Sequence, residues 1–384
     1  MPRKSLITVL LSTFLAMASL YGPQPLLPYF ARIFDVTEAE SASLISWSLL
    51  SMSIGPLFMG YLLQRNDPRK MLIWCVAGLT CSTLLFSMLN DLFSMKLVRF
   101  LQGGIIAAQL AATMTYITSA STNMRQIMAY YVGAAIMGGL SGRLFAGFVS
   151  EFASWRYFFV ALGLVFIICL WRTIQLEKTD YAKRAALAFK QFREVLKDRY
   201  IIRLYLIIML SFFVMTGVLN FIPFRLEALN PHIGESTISL FYLGFVIGCF
   251  VSINAPRIAD IVGSAFKAAW LGIGFVIVGL LLLYIPSAFA VFIAMAFVTS
   301  GFFLQHTSIA TLLNKYAVKQ AGIVNSLYIS VYYLGGSAGS YLPGLLYESQ
   351  GWTAFTSLLL LIVVLCILVV YTTRATGNAF LNVS

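Results

Sequence analysis

Charged side chains are scarce in this sequence. Only 10% of its 384 residues are Asp, Glu, Lys or Arg, whereas 60% are apolar. A soluble domain carries roughly 25% charged residues, so this chain could not cover its apolar surface with charge in water. A soluble fold is therefore excluded, and lipid has to cover part of the surface. Because one crossing of a bilayer takes ~20 apolar residues, the length leaves room for about a dozen spans.

Residues that would indicate enzymatic chemistry are also missing. The chain has two histidines, no His-Glu-x-x-His spacing, and no Gly-x4-Gly-Lys-[Ser/Thr] loop to hold a nucleotide phosphate. Its five cysteines lie in apolar segments, at spacings that match no metal site or disulfide framework. The sequence predicts no enzymatic activity, no metal and no cofactor, and it excludes ATP-driven transport within this chain.

The formal net charge of +12 does not indicate a nucleic-acid partner. Basic residues that bind nucleic acid form a stripe on one surface, whereas here they stand at the ends of apolar runs. With both termini cytoplasmic, most of the 26 basic residues fall in cytoplasmic segments, as the positive-inside rule requires. We therefore expect the N- and C-termini to lie in the cytoplasm.

Apolar runs bounded by charged or turn residues predict an all-α membrane protein with twelve transmembrane helices. The N-terminus, with Arg3 and Lys4 before an apolar stretch, is also compatible with a signal peptide, but the run continues to about Phe30 and favours an uncleaved first span. The predicted spans are 5–30, 41–63, 71–89, 93–119, 127–150, 156–173, 201–224, 236–254, 267–285, 288–313, 321–346 and 353–373.

One long polar stretch, residues 174–200, divides the spans into two sets of six. Its basic residues alternate with apolar ones, which is typical of an amphipathic helix at the inner leaflet. The predicted domains are an N-terminal six-helix bundle (1–173), this cytoplasmic linker (174–200) and a C-terminal six-helix bundle (201–384).

The two halves share a repeat. The pattern Gly-Gly-x-x-Gly-x4-Gly-x3-Glu-x3-Trp occurs twice, and its six positions are all offset by 197 residues. Small residues let membrane helices approach closely, and internal repeats of this kind are typical of secondary transporters. The predicted helix-packing glycines are Gly138, Gly139, Gly142, Gly147, Gly335, Gly336, Gly339 and Gly344.

Over its whole length the sequence resembles the major facilitator superfamily, and more narrowly its bacterial twelve-helix drug and metabolite efflux branch. Four segments carry the narrower resemblance: residues 21–28 (YGPQPLLP), 99–103 (RFLQG), 138–143 (GGLSGR) and 155–159 (WRYFF). The resemblance implies two pseudo-symmetric bundles, alternating access, a small-molecule substrate, protons as the driving ion and a monomeric carrier in the bacterial inner membrane.

The family's loop motifs, which act as conformational switches, are altered here. The loop after span two usually reads Gly-x3-Asp-Arg-x-Gly-Arg-Arg, and Gln64 replaces its Asp. The antiporter signature of span five is also changed, with Gly139 in place of Pro and Arg143 in place of the last Gly. The positions that match the switch loops are Gly60, Gln64, Arg65, Arg69, Asp260 and Gly263.

Two arginines, Arg99 and Arg143, fall inside predicted spans, where charge is costly and usually functional. No acidic residue lies deep in any span. One hypothesis is that the arginines give a cavity positive potential or take part in coupling through Arg99. The alternative is that they donate to backbone carbonyls and to polar neighbours such as Gln24, Gln102 or Asn220.

Further candidates for substrate or proton contacts are polar and aromatic residues within the spans. His306 is the histidine that falls within a span and could relay a proton, although a packing role is the commoner one. Cavities for organic molecules are mostly apolar with a few polar anchors. The remaining candidates are Tyr21, Gln24, Gln102, Gln109, Asn220, Gln305, Asn325, Tyr328 and Tyr332.

The leading functional hypothesis is a secondary transporter that exports drugs or metabolites in exchange for protons. Because the intramembrane arginines have no acidic partners, an importer or facilitator of an organic anion is the alternative. A membrane sensor or scaffold on the same fold is the alternative from another class.

Overall fold

The computed structural model describes residues 2–120, 124–178 and 189–381, and these residues form α-helices joined by short connections. Two 3₁₀ turns, Gln24–Leu26 and Val318–Gln320, interrupt the series. The helices are α1 (Arg3–Tyr21), α2 (Leu27–Phe34), α3 (Glu38–Arg65), α4 (Pro68–Met88), α5 (Leu92–Ala120), α6 (Met124–Phe152), α7 (Trp155–Ile174), α8 (Phe189–Val195), α9 (Arg199–Leu229), α10 (Glu235–Phe241), α11 (Gly244–Val262), α12 (Ala265–Leu282), α13 (Ala288–Tyr316) and α14 (Ala321–Leu381).

Within the described residues, ten helical stretches are long and apolar enough to cross a membrane. The last of them, Gly322–Thr373, has 52 residues, about 78 Å of helix at 1.5 Å per residue. That is more than twice the ~30 Å of a hydrocarbon core. The stretch bends at Gly351, whose φ of 78° lies in the left-handed region. This bend lies between the predicted spans 321–346 and 353–373.

The first predicted span, 5–30, is not one continuous helix. α1 ends at Tyr21, and a 3₁₀ turn at Gln24–Leu26 separates it from α2. Pro23 and Pro25 lack the amide hydrogen that would continue the helical ladder. The interruption arises because the two prolines remove two donors within a single turn of the chain, and the predicted span falls within the candidate membrane stretch Arg3–Phe34.

Acidic residues mark helix starts in several places. The Asp67 carboxylate accepts the amide of Arg69 at 2.8 Å, ahead of Pro68 in the first turn of α4. Asp198 accepts the amides of Tyr200 and Ile201 at the start of α9. A carboxylate in this position satisfies amides that have no partner within the helix. Among the described residues, every Asp and Glu lies within about one turn of a helix end or of the bend at Gly351.

The chain forms two compact units. Unit 1 comprises Met1–Val36, Ser43–Leu187 and Ile233–Leu240, and unit 2 comprises Thr37–Ala42, Ala188–His232 and Phe241–Ser384. In unit 1, α1 packs on α6, and α4 packs on α5 and α7. In unit 2, α9 packs on α14, and α13 packs on α11 and α12. Each unit therefore contains one short segment from the opposite half of the sequence.

Glycines of the repeat lie where helices meet most closely. A Cβ atom on Gly142 would come within 2.5 Å of the Ala18 carbonyl oxygen, across the α1–α6 contact. A Cβ atom on Gly339 would likewise overlap the Phe213 carbonyl oxygen, across the α9–α14 contact. Because real Cβ atoms do not approach other atoms so closely, these two helix pairs pack backbone against backbone.

The described part of the polar linker contains one short helix. Residues 189–195 form α8, in which Val195 is buried, and the following Leu196 is exposed. Residues 179–188 lie outside the described residues. An amphipathic helix at the membrane surface, and the three-domain division at residues 173 and 200, stay predictions.

Candidate functional site

Arg99 lies within α5 and is fully buried in unit 1. Its Nη1 donates to the Ser19 carbonyl and to Gln102 Oε1, both at 2.9 Å, and its Nη2 donates to the Leu20 carbonyl. Its Nε donates to the Leu44 carbonyl at 3.2 Å. All three nitrogens are therefore engaged by protein oxygens from α1, α3 and α5.

The break in α1 explains why Arg99 is needed there. In a continuous helix the Ser19 carbonyl would accept the amide of residue 23, which is a proline and has none. The next carbonyl, that of Leu20, lies where the helix gives way to the 3₁₀ turn. An unpaired carbonyl inside a membrane costs several kcal/mol. The guanidinium supplies the missing donors to both oxygens, so Arg99 acts as a C-terminal cap for α1.

A polar cluster extends from this cap. Gln102 Nε2 contacts Thr83 Oγ1 at 3.4 Å, and the Ser19 hydroxyl lies 3.5 Å from the same oxygen. The Ser48 hydroxyl donates to the Arg99 carbonyl at 3.0 Å. The cluster joins α1, α3, α4 and α5 through hydrogen bonds in the interior of unit 1. This geometry indicates that the cluster stabilises the packing of these helices.

Arg143, one helix away on α6, has different surroundings. Its Nε donates to Gln24 Oε1 at 2.6 Å, and its Nη1 donates to the Gly139 carbonyl at 3.0 Å. The guanidinium carbon lies 4.3 Å from the centre of the Tyr21 ring, a cation–π contact. Gly139 and Arg143, the two departures from the family's antiporter signature, are thus in direct contact. A Cβ atom at position 139 would lie 3.4 Å from Arg143 Nη1 and 3.1 Å from the Tyr21 ring.

Gln109 forms a third polar contact in unit 1. Its Nε2 donates to the Ser12 hydroxyl at 2.9 Å and to Thr113 at 3.3 Å. Its buried Oε1 accepts no hydrogen bond from the described residues.

Unit 2 contains a histidine surrounded by aromatic rings, formed by Phe212, Phe302, His306, Tyr328 and Tyr332. The imidazole centre lies 5.6 Å from the Tyr328 ring and 5.3 Å from the Tyr332 ring. Tyr332 stacks on Phe212 with centroids 3.8 Å apart and planes at 10°. Because these residues come from α9, α13 and α14, the group is assembled by packing within the unit. His306 and Tyr332 each remain half-buried.

Three further candidate residues, Gln305, Asn220 and Asn325, also belong to unit 2. Gln305, next to His306, accepts the Ser211 hydroxyl at 2.6 Å, and Asn220 is fully buried on α9. Asn325 lies on α14, where its amide donates to Asn314 at 2.9 Å. This hydrogen bond joins α14 to α13.

The two switch loops occupy helix ends. Gly60, Gln64 and Arg65 fall within α3, but their side chains lie outside the described part of the chain. Arg69 donates through Nη2 to the Ile174 carbonyl at 2.6 Å, at the end of α7. In unit 2, Gly263 ends α11 with a left-handed φ of 93°, and its amide donates to the Asp260 carbonyl. A cavity of about 850 Å³ adjoins this second loop, and Asp260, Gly263, Lys267, Trp270 and Lys315 are among its lining residues.

Two acidic residues of the repeat, Glu151 and Glu348, have a role that was not among the predictions from the sequence. Glu151 Oε2 accepts the amide of Ser236 at 2.7 Å in unit 1. Glu348 Oε1 accepts the amide of Ala39 at 2.8 Å in unit 2. The available sequence signal was that both glutamates belong to the repeated motif, and the structure shows that the two acceptor–donor pairs share its offset of 197 residues.

The fold and these sites define a multi-pass helical membrane protein with paired internal repeats. The family model of the Major Facilitator Superfamily matches residues 9–340, and the chain belongs to that superfamily. It is a membrane transporter of the superfamily's type.

Known proteins similar to this chain agree with the assignment. The chain is 27% identical over 369 residues to the inner membrane transport protein YnfM of Escherichia coli (strain K12), covering 94% of this chain and 87% of that one. Among solved structures, a bacterial homologue of the human lysosomal transporter Spinster, inward-facing and unoccupied, has a TM-score of 0.78 at 14% identity, covering 98% and 97%. A mutant form of the nucleoside transporter NupG has a TM-score of 0.80 at 12% identity, covering 97% and 99%. At these identities the two structures show the fold alone.

Proposed function

We propose that this chain is a proton-coupled exporter of small planar organic molecules in the bacterial inner membrane. The histidine–aromatic group of unit 2 is the observation that carries the proposal. Aromatic side chains bind planar apolar molecules through stacked and edge-to-face contacts, and cavities for such molecules combine apolar walls with few polar anchors. His306 provides the polar anchor among the rings.

The proposed topology has twelve crossings with both termini in the cytoplasm. It counts the ten candidate stretches, the second crossing that the bend at Gly351 allows, and α3, which has 28 residues. The positive-inside rule sets the orientation, because basic residues gather in the segments that this topology assigns to the cytoplasm. YnfM, an inner membrane transport protein by name, supports the proposed location.

Proton coupling in this proposal runs through His306 or through the substrate. The Asp and Glu residues in the described part of the chain stand at helix ends, so none is available as a buried proton carrier. Arg99 is a poor candidate because protein oxygens already engage all three of its nitrogens. An imidazole can carry a proton, and His306 lies within the span formed by α13.

Flux into proteoliposomes under an imposed pH gradient tests the proposal. Planar aromatic cations and planar aromatic carboxylates would be compared, with wild type beside Tyr332→Ala, His306→Gln and the control Ser326→Ala. The Ser326 hydroxyl bonds to its own helix at the Gly322 carbonyl, so its loss should leave flux unchanged.

We expect flux of the cations that is driven by the pH gradient. Tyr332→Ala should raise the apparent KM about tenfold, because the loss of an aromatic stacking contact costs ~1.4 kcal/mol. In His306→Gln the flux should no longer depend on the pH gradient. Flux of carboxylates without a pH gradient would instead support a facilitator of organic anions. Gradient-driven flux that both variants leave intact would remove the histidine–aromatic group from the mechanism.

A further inference from the structure

The two glutamates of the repeat each cap a helix that begins in the other half of the sequence. Glu151 lies in the last turn of α6, and the Ser236 amide that it accepts is at the start of α10. Glu348 lies one turn before the bend at Gly351, and the Ala39 amide that it accepts is at the start of α3. The offset is 348 − 151 = 197 for the acceptors and 236 − 39 = 197 for the donors, so the contact is duplicated by the repeat.

Glycine makes room for each contact one turn earlier. A Cβ atom on Gly147 would lie 2.5 Å from the Glu235 carbonyl oxygen, and one on Gly344 would lie 3.0 Å from the Ala39 Cα atom. These two glycines share the same offset of 197. The repeat thus encodes a complete contact: a glycine for close approach, then a carboxylate for the exposed amides of a helix start.

The capped turns are the segments that the two units exchange. Residues 233–240, which include Ser236, pack in unit 1, whereas the chain from Phe241 onward belongs to unit 2. Residues 37–42, which include Ala39, pack in unit 2, whereas the chain from Ser43 onward belongs to unit 1. Each carboxylate therefore holds a turn whose own helix continues in the other unit.

These bonds are suited to repeated breaking. The first amides of a helix have no partner in the helix itself and can donate to water equally well. Both glutamate side chains are exposed, so a released carboxylate is hydrated at once. A charged acceptor at a helix start gives a directional bond, yet one weak enough to exchange during a transport cycle.

We propose that Glu151 and Glu348 form a paired latch, which keeps the exchanged turns docked in one state of the transporter and releases them together in the other. This inference rests on the alternating access that the proposed function assumes. The two glutamates act as positioning residues and need not touch the substrate.

Hydrogen–deuterium exchange of the full chain in lipid nanodiscs tests the latch without any substrate. The variants are Glu151→Ala and Glu348→Ala. At each position a Gln substitution removes the charge and keeps the side-chain length, whereas an Asp substitution keeps the charge and shortens the side chain. Asp198→Ala is the matched control, because Asp198 caps α9 within one continuous segment of unit 2. Amide exchange would be followed in residues 235–241 and 38–45.

We expect Glu151→Ala to raise exchange roughly fivefold in both segments, the factor that a typical N-cap contributes to helix stability, and Glu348→Ala to do the same. Asp should restore protection more fully than Gln. Asp198→Ala should affect the start of α9 and the end of α13, where the Tyr316 hydroxyl donates to Asp198, and should leave residues 235–241 and 38–45 unchanged. Changes confined to the segment next to each mutated glutamate would overturn the latch and leave two independent caps. Because no transport is measured, this outcome is separate from failure of the export proposal.

Discussion

The guanidinium of Arg99 donates to the carbonyl oxygen of Ser19 at 2.9 Å, four residues before Pro23. A charged side chain on α5 therefore replaces the amide that a proline removes from α1. The bond connects a fully buried arginine of unit 1 with the interruption that follows α1. The arginine supplies a donor to the carbonyl that lacks one, and the carbonyl supplies an acceptor to the buried charge. Mutation of either side tests this relationship.

Replacing Arg99 with Ala should destabilise the protein strongly. The Ser19 and Leu20 carbonyls would lose their donor in an apolar interior, at about 1–3 kcal/mol for each buried group. Thermal unfolding in detergent would show a lower midpoint than for wild type. Arg203→Ala is the control, since Arg203 is only half-buried and its bond to the Thr372 carbonyl is exposed to solvent. An unchanged midpoint together with abolished transport would instead indicate a direct role for Arg99 in coupling.

Replacing Pro23 with Ala should make the protein less dependent on Arg99. The alanine introduced there would have an amide that can reach the Ser19 carbonyl, as in a regular helix. A double-mutant cycle of Pro23→Ala with Arg99→Ala should give a coupling free energy of about 1 kcal/mol, the double variant being more stable than additivity predicts. Strict additivity would show that the proline and the arginine act independently.

The sequence supports prediction of the helices better than prediction of their interruptions. Charged residues and prolines mark where α4 and α9 begin, and the local capping of Asp67 and Asp198 follows from their own neighbours. The break in α1 is compensated by Arg99, 76 residues beyond Pro23 in the chain (99 − 23 = 76). Composition and hydropathy do not contain this long-range compensation.

The candidate polar residues show the same limit. Pairing of the intramembrane arginines with Gln24 and Gln102 was one of two readings open from the sequence, and the structure places Arg143 beside Gln24 and Arg99 beside Gln102. The residues that surround the His306 side chain could not be predicted from the sequence, because its ring contacts come from α14 as well as from α13. Only the packing of several helices assembles that group.

Asp91 lies in the connection between α4 and α5, and we expect its contribution to the free energy of unfolding to depend on pH. Its carboxylate accepts the Ser94 amide at 2.8 Å, and this hydrogen bond lowers the pKa of Asp91 below its usual value. Since the folded pKa lies below the unfolded one, the cap stabilises the fold above the unfolded value of about 4. That stability is lost as the pH falls through the folded pKa.

Thermal unfolding of wild type and Asp91→Ala across this pH range would measure the effect. We expect Asp91→Ala to lower the midpoint slightly near neutral pH, because the carboxylate is fully exposed and screened by solvent. The difference should shrink towards zero at acid pH. A difference that is constant with pH would show that the Asp91 charge does not contribute.

Two glycines on α6 provide a matched test of helix packing. A Cβ atom on Gly142 would overlap the backbone of Ala18, whereas one on Gly133 would meet no atom within 4 Å. Gly142→Ala should therefore cost about 1–3 kcal/mol through forced separation of α1 and α6. Gly133→Ala should be neutral or stabilising by up to about 1 kcal/mol, because alanine is the better helix former. Thermal unfolding midpoints of the two variants, measured side by side, would test this difference. Helix propensity acts alike at both positions, so equal effects of the two substitutions would contradict a close contact of α1 with α6.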